Sequence, residues 1–141
     1  MLEDKEPPSI VKGVMTKPII TVDKDGSVNE AAKTMSEKRI GCIVVTDAGT
    51  PVGIATERDI LQRVVVEGLD VSKVKMKDIM SEPLITINGN MPIINAIRMM
   101  QKNNVRHLPI IEKGELVGIV TQRDLLRALA LHVLISFRPL L

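Results

Sequence analysis

The residues best suited to chemistry fall in one heptapeptide that occurs twice, Gly53-Ile-Ala-Thr56-Glu-Arg58-Asp59 and Gly118-Ile-Val-Thr121-Gln-Arg123-Asp124. Thr56 and Thr121 stand where an apolar, β-rich run gives way to a helical pattern, which is the place for an N-capping hydroxyl. Asp59 and Asp124 follow three residues later, where a carboxylate meets the positive end of a helix dipole. Capping by itself accounts for both residue types. The same arrangement also suits a sugar diol, because a carboxylate accepts from two adjacent hydroxyls while the unpaired backbone donors of a helix start attract phosphate. The dipole does not account for Arg58 and Arg123, which are cations in the first turn; either they are simply solvated or they face an anionic partner.

A second constellation is Asn104-Val-Arg106-His107-Leu-Pro-Ile-Ile111. Two basic residues where a strand begins could meet phosphate, with His107 gaining charge as pH falls, or they could merely close the strand start. The matching places in the first copy hold Gly41 and Cys42, so two sites built on this plan are chemically unequal. Thr16 and Ser81 each precede a proline by two residues, Pro18 and Pro83. Proline removes a ladder donor, which puts this entry segment at a sheet edge and leaves backbone groups available to a base. Ile20, Ile43, Val44 and Val52, with Ile85, Leu108, Pro109 and Val117, read mainly as core, a few of them free to flank a flat heterocycle. Met15 and Met80 read as gap-filling structure. Catalytic patterns are missing: there is no recognisable Ser-His-Asp context, no Cys beside a His, no GxxxxGK loop and no HExxH helix, so the expectation is a binder and not an enzyme.

What positions these residues is an internal repeat. A shift of 65 lays Val14–Val22 over Ile79–Ile87 and Gly53–Leu61 over Gly118–Leu126, without a gap between the two matches. The period exceeds the roughly 20 to 50 residues of solenoid repeats and reads as one duplicated supersecondary unit. In each copy a short β-rich run, Ile19 to Val22 in the first, leads to a helix start, marked by the capping-box pattern Ser27-x-x-Glu30 in the first copy and by Pro92 in the first turn of the second. Val28, Ala31, Ala32 and Met35, matched by Ile93, Ala96, Ile97 and Met100, form one helical stripe. Two apolar runs around Asp47-Ala-Gly49-Thr, and around Glu112-Lys-Gly114-Glu, signal a hairpin. A second helix is expected from about Glu57 to Val66, and from Gln122 to about Leu134. The fold class is therefore α/β (α+β), with two β-α-β-β-α repeats packed sheet to sheet about a pseudo-twofold axis, since a unit of about 50 residues buries little by itself. The boundaries read as a leader over 1–13, copies over 14–66 and 79–131, a linker over 67–78 and an apolar extension over 132–141 that closes on Leu140-Leu141.

Composition narrows the partners. Lys and Arg number 19 against 17 Asp and Glu, a net +2, with no dense basic block, so nucleic acid is disfavoured; such binding would also weaken steeply with salt. Phe137 is the only aromatic, so any planar ligand must be held by aliphatic side chains. One cysteine, and two histidines far apart at 107 and 132, argue against a disulfide or a zinc site and for a reducing, cytoplasmic home. The acidic N-terminus is unlike a signal peptide, and no apolar run approaches the roughly 20 residues of a membrane span.

Taken together, Val-Met-Thr-x-Pro-Ile-x-Thr-Val, Arg-His-Leu-Pro-Ile-Ile and the doubled Gly-Ile-x-Thr-x-Arg-Asp resemble a tandem cystathionine-β-synthase (CBS) domain pair, or Bateman module, over about residues 10–130. The resemblance implies a regulatory, non-catalytic binder of an adenosine-containing ligand such as AMP, ADP, ATP, S-adenosylmethionine or NAD, held in clefts between the repeats and assembled as a homodimer. It further implies that Asp59 and Asp124 hold ribose hydroxyls and that Thr56, Thr121, Arg58 and Arg123 lie near ribose and phosphate. Arg106 and His107 would reach a phosphate, and the backbone around Ile20, Thr21, Ile85 and Thr86 would face adenine. The alternative from another class is a structural dimerisation or partner-docking module with empty clefts, using the apolar segment from Leu129 onward.

Overall fold

The computed structural model describes residues 7–137; Leu140 and Leu141 lie outside them. The chain forms two compact units that cut across the sequence repeat. One unit is Ile19–Ile85; the other takes the described residues up to Pro18 together with those from Thr86 onward.

In the Ile19–Ile85 unit, β1 (Thr21–Asp23) runs parallel to β2 (Cys42–Asp47), and β2 runs antiparallel to β3 (Thr50–Thr56). Helix α1 (Val28–Lys38) starts at Ser27, whose hydroxyl accepts from the Glu30 amide at 3.1 Å. The hairpin turn has positive φ at both Ala48 and Gly49, the geometry of a two-residue turn that matches the twist of its strands. Helix α2 (Glu57–Ile60) is a single α turn that passes into a π-helical stretch, Leu61–Val65, so the second helix of this copy is less regular than its apolar pattern suggests. Short helix α3 (Met76–Ile79) completes the unit. Val28, Ala31 and Met35 of α1 close over Ile43, Val45 and Ala55 of the sheet, with Val64, Met76 and Ile79 buried among them.

The other unit repeats this plan with α4 (Ile93–Asn103), the hairpin β4 (His107–Glu112) and β5 (Glu115–Thr121), and α5 (Gln122–Ser136). Its first strand shrinks to one parallel bridge, Ile87 to Ile110, and Pro92 is the N-cap of α4 instead of a first-turn residue. Ile93, Ala96, Ile97 and Met100 are buried, as the stripe requires, together with Leu108, Ile110, Val120 and Leu125.

Each unit is completed by the segment that precedes the other copy in sequence. The Val11 amide donates to Met91 and that of Lys12 to Gly89, both at 3.0 Å; the amides of Met76 and Lys77 donate in the same way to Gly26 and Lys24 at 2.9 Å. The carbonyls of Ser9 and Val74 accept from Ile93 and Val28, satisfying first-turn donors of α4 and α1 that a helix leaves unpaired. The duplication thus extends upstream into the leader and the linker.

A surface ion pair, Lys77 to Asp25 at 3.0 Å, ties this upstream segment to the turn before α1. The hydrogen bond from Lys77 holds the Asp25 carboxyl below its ordinary 3.8. A carboxyl depressed in the folded state stabilises the fold above its unfolded value, and that contribution disappears as pH falls through the folded value. Asp25→Ala is therefore expected to lower the melting temperature slightly near neutral pH and to match the unsubstituted chain once the pH is well below 3.8; the same deficit at both pH values would contradict the pairing.

Candidate functional site

In both units β-strand geometry delivers the threonine to the helix start. Thr56 ends β3 and Thr121 ends β5, and each is the N-cap of the helix that follows. The Asp59 amide donates to Thr56 Oγ1 at 3.2 Å, and the Thr56 amide donates back to Asp59 Oδ2 at 2.9 Å. The second copy reproduces this reciprocal box, with 3.2 Å in both directions between Thr121 and Asp124. Capping therefore uses one carboxylate oxygen of each Asp. The second oxygen differs between copies: Asp59 Oδ1 faces the Arg63 guanidinium at 3.8 Å, whereas Asp124 has no ion-pair partner among the described residues.

The start of the hairpin lies against the same helix end. Cys42 pairs in register with Thr56, and His107 with Thr121. The Gly41 carbonyl accepts from the Glu57 amide at 3.0 Å, and the Arg106 carbonyl accepts from Gln122 at 2.9 Å. Arg106 and Arg123, both exposed, thus belong to the same unit as Asp124 and lie on adjoining elements with half-buried His107. The other unit has exposed Arg58 beside Asp59 but no basic residue at the hairpin start. Burial, followed by the Glu57 charge, pushes the Cys42 thiol up to about 12, so that position is neutral where its counterpart is an imidazole.

On the opposite edge of each hairpin lies the exchanged segment. Thr16 forms an antiparallel bridge with Ile119, its amide donating at 2.8 Å and its carbonyl accepting at 3.1 Å; Ser81 does the same with Ile54 at 2.8 and 3.1 Å. This corrects the expectation of open backbone at Thr16 and Ser81: both peptide groups are spent on the sheet, and only the hydroxyls remain. The reason is tertiary, since proline two residues on blocks continuation of the ladder but not the bridge before it. At the adenine-facing positions, the Ile20 carbonyl accepts from Val44 at 3.3 Å and Thr21 pairs with Val44. Among the described residues, no backbone hydrogen bond engages half-buried Ile85 or Thr86. The site residues thus divide as Ile20, Thr21, Thr56, Arg58, Asp59, Ser81 and Ile85 in one unit, and Thr16, Thr86, Arg106, His107, Thr121, Arg123 and Asp124 in the other.

Arg63 was invisible to motif reading. Its signal is a cation four residues after Asp59 where the second copy has Ala128.

The fold and these paired helix starts define a duplicated α/β module with one candidate ligand site in each unit. The CBS domain family model matches residues 11–66 and 76–131, and the chain belongs to that family. CBS-domain pairs are regulatory modules that commonly bind adenosine ligands and are generally non-catalytic on their own. The CBS domain-containing protein YhcV of Bacillus subtilis is 36% identical over 117 residues, 83% of each chain. An uncharacterized protein of Methanopyrus kandleri is 38% identical over 116 residues, which are 81% of this chain but 59% of that longer protein. Among solved structures, a conserved protein from Pyrococcus horikoshii superposes with a TM-score of 0.78 at 38% identity, covering 88% of this chain and 94% of the other. The hexameric CBS-CP12 protein from bloom-forming cyanobacteria gives 0.80 at 27% identity, covering 86% and 73%. No helix among the described residues is long and apolar enough to cross a membrane.

Proposed function

We propose that this chain is a regulatory module that binds an adenosine-containing nucleotide of the AMP, ADP or ATP class, with S-adenosylmethionine and NAD as the other members of the ligand class. The observation that carries this reading is the half-used carboxylate of Asp124. One oxygen closes the capping box and the other has no ion-pair partner among the described residues, on a helix start that adjoins Arg106 and His107, with Thr16 of the same unit bridged to Ile119 two residues before Thr121. A ribose diol donates to such an oxygen, and the flanking cations suit phosphate. Asp59, Thr56, Arg58 and Ser81 form the corresponding site, which has Gly41 and Cys42 where the other has Arg106 and His107; Ile20, Thr21 and Ile85 face the base in that unit, and Thr86 does so in the other. Coupling follows from connectivity, because the chain passes between units at Pro18–Ile19 and Ile85–Thr86, a few residues beyond Thr16 and Ser81. Occupancy shifts their arrangement only as far as the ligand prefers one state over another.

Self-association as a homodimer is a second element of the reading. Its support is the exposed apolar surface of α5, including Leu129, Val133 and Leu134. A cytoplasmic location rests on the free, buried Cys42.

The test is a thermal-melt screen of the full chain against AMP, ADP, ATP, S-adenosylmethionine and NAD. At least one is expected to raise the melting temperature, approaching about 2.7 kcal/mol of stabilisation at 100 times its Kd. The effect should vanish in the Asp59→Ala/Asp124→Ala double variant. If none of the five shifts the melt, the nucleotide reading is lost and the docking alternative takes its place.

A further inference from the structure

The two copies carry the same Thr-x-Arg-Asp start, yet among the described residues a cation engages the carboxylate of Asp59 and none engages that of Asp124. Asp59, with its side chain 15% exposed, has Oδ2 on the Thr56 amide and Oδ1 at 3.8 Å from the Arg63 guanidinium. Arg63 is held in place from its other side. Its Nη1 donates to the Ile79 carbonyl at 2.6 Å and to that of Met80 at 3.3 Å, so the guanidinium bridges the end of α3 and the first turn of α2. It lies in the π-helical stretch Leu61–Val65, where the helical ladder departs from α geometry. The residue one repeat later is Ala128, which is 5% exposed and offers no charge to Asp124.

A carboxylate oxygen facing a guanidinium is a poorer acceptor for an incoming hydroxyl, because the ligand must displace the cation or share the oxygen with it. We propose that Arg63 is an intramolecular competitor for the ribose diol at Asp59, so that adenine nucleotide fills the Asp124 site first and the Asp59 site only at higher concentration. This rests on the nucleotide reading above. The held position of Arg63 gives the competition a consequence: a ligand that draws Asp59 away frees one side of the guanidinium that grips Ile79 and Met80, the residues leading directly to the Ser81–Ile54 bridge.

The test isolates each site and uses AMP, which carries the diol and one phosphate. In an Asp124→Ala background, isothermal calorimetry should show AMP binding about 3- to 5-fold tighter after Arg63→Met, the range of a half-exposed ion pair. In an Asp59→Ala background the same substitution should leave the Kd within about 2-fold. Arg63→Gln provides a second variant should Met disturb the grip on α3. Unchanged or weaker AMP binding in both Arg63 variants overturns the proposal, since it would make Arg63 either a bystander or a ligand residue. A ligand-free arm judges it separately from the nucleotide reading: the Arg63 guanidinium NMR resonances should move in Asp59→Asn and stay fixed in Asp124→Asn. Immobility in both overturns the competition even if AMP binds. A complete lack of AMP heat in the unsubstituted chain, with the resonance shift present, overturns competition for AMP and leaves the ion pair standing, while the nucleotide reading itself is judged by the five-ligand melt screen.

Discussion

Leu125→Ala is expected to destabilise the chain by about 3 kcal/mol, the usual outcome of removing a fully buried leucine side chain that its surroundings cannot refill. Leu125 is completely enclosed and directly follows Asp124, so its burial anchors the first turn of α5 in the core of its unit while the Asp124 carboxylate caps the helix start. Its neighbour Leu126 is 48% exposed, and Leu126→Ala should fall within about 0.5 kcal/mol of the unsubstituted chain. Denaturant titration of the pair checks this. A loss below about 1 kcal/mol at Leu125 would mean that α5 is not anchored as described. Nucleotide effects on the melt should be read against this pair, which separates a lost fold from a lost contact.

Gly53→Ala and Gly118→Ala should differ although the residues are equivalent in the repeat. A Cβ at Gly53 would lie 2.7 Å from Met80 Sδ and 2.9 Å from the Ser81 carbonyl oxygen. The methionine can swing aside, but the Ser81 oxygen is backbone and is fixed by its hydrogen bond to Ile54. At Gly118 the three nearest obstacles are all side-chain atoms of Met15, beginning with its Sδ. Overpacking a tight contact costs about 1–3 kcal/mol, so Gly53→Ala should sit at the upper end of that range and Gly118→Ala at the lower. Thermal melts of the two variants decide it. Equal losses would show that the Ser81 segment yields as readily as a side chain. A partial rescue of Gly118→Ala by Met15→Ala, with none of Gly53→Ala by Met80→Ala, would locate the difference in the backbone.

These contacts also explain the glycine that opens each heptapeptide. Gly53 and Gly118 are needed where Met80 and Met15 lie across the hairpin, so part of the motif serves packing of the exchanged segment and part serves the helix start. The structural role read for Met15 and Met80 agrees with this placement.

Much of the architecture was legible from residue order because its signals are local. The Ala-Gly and Lys-Gly turns, the Thr-x-x-Asp boxes and the helical stripes each depend on a few neighbouring residues, and they appear where the pattern puts them, apart from Ala32, which is only half-buried. The 65-residue shift likewise showed that whatever one copy offers a ligand, the other offers in altered form, with Arg106 and His107 set against Gly41 and Cys42. Three things needed the tertiary structure. The assignment of Thr16 to β5 and of Ser81 to β3, each completing the unit built mainly from the other copy, joins residues more than 25 positions apart through backbone pairing, which side-chain patterns do not encode. The π-helical turn after Ile60 likewise replaces the regular helix that the apolar spacing described. The inequality of Asp59 and Asp124 depends on where a long, flexible arginine side chain comes to rest, and Arg63 rests there because two carbonyls at the end of α3, brought close only by folding, hold its other face.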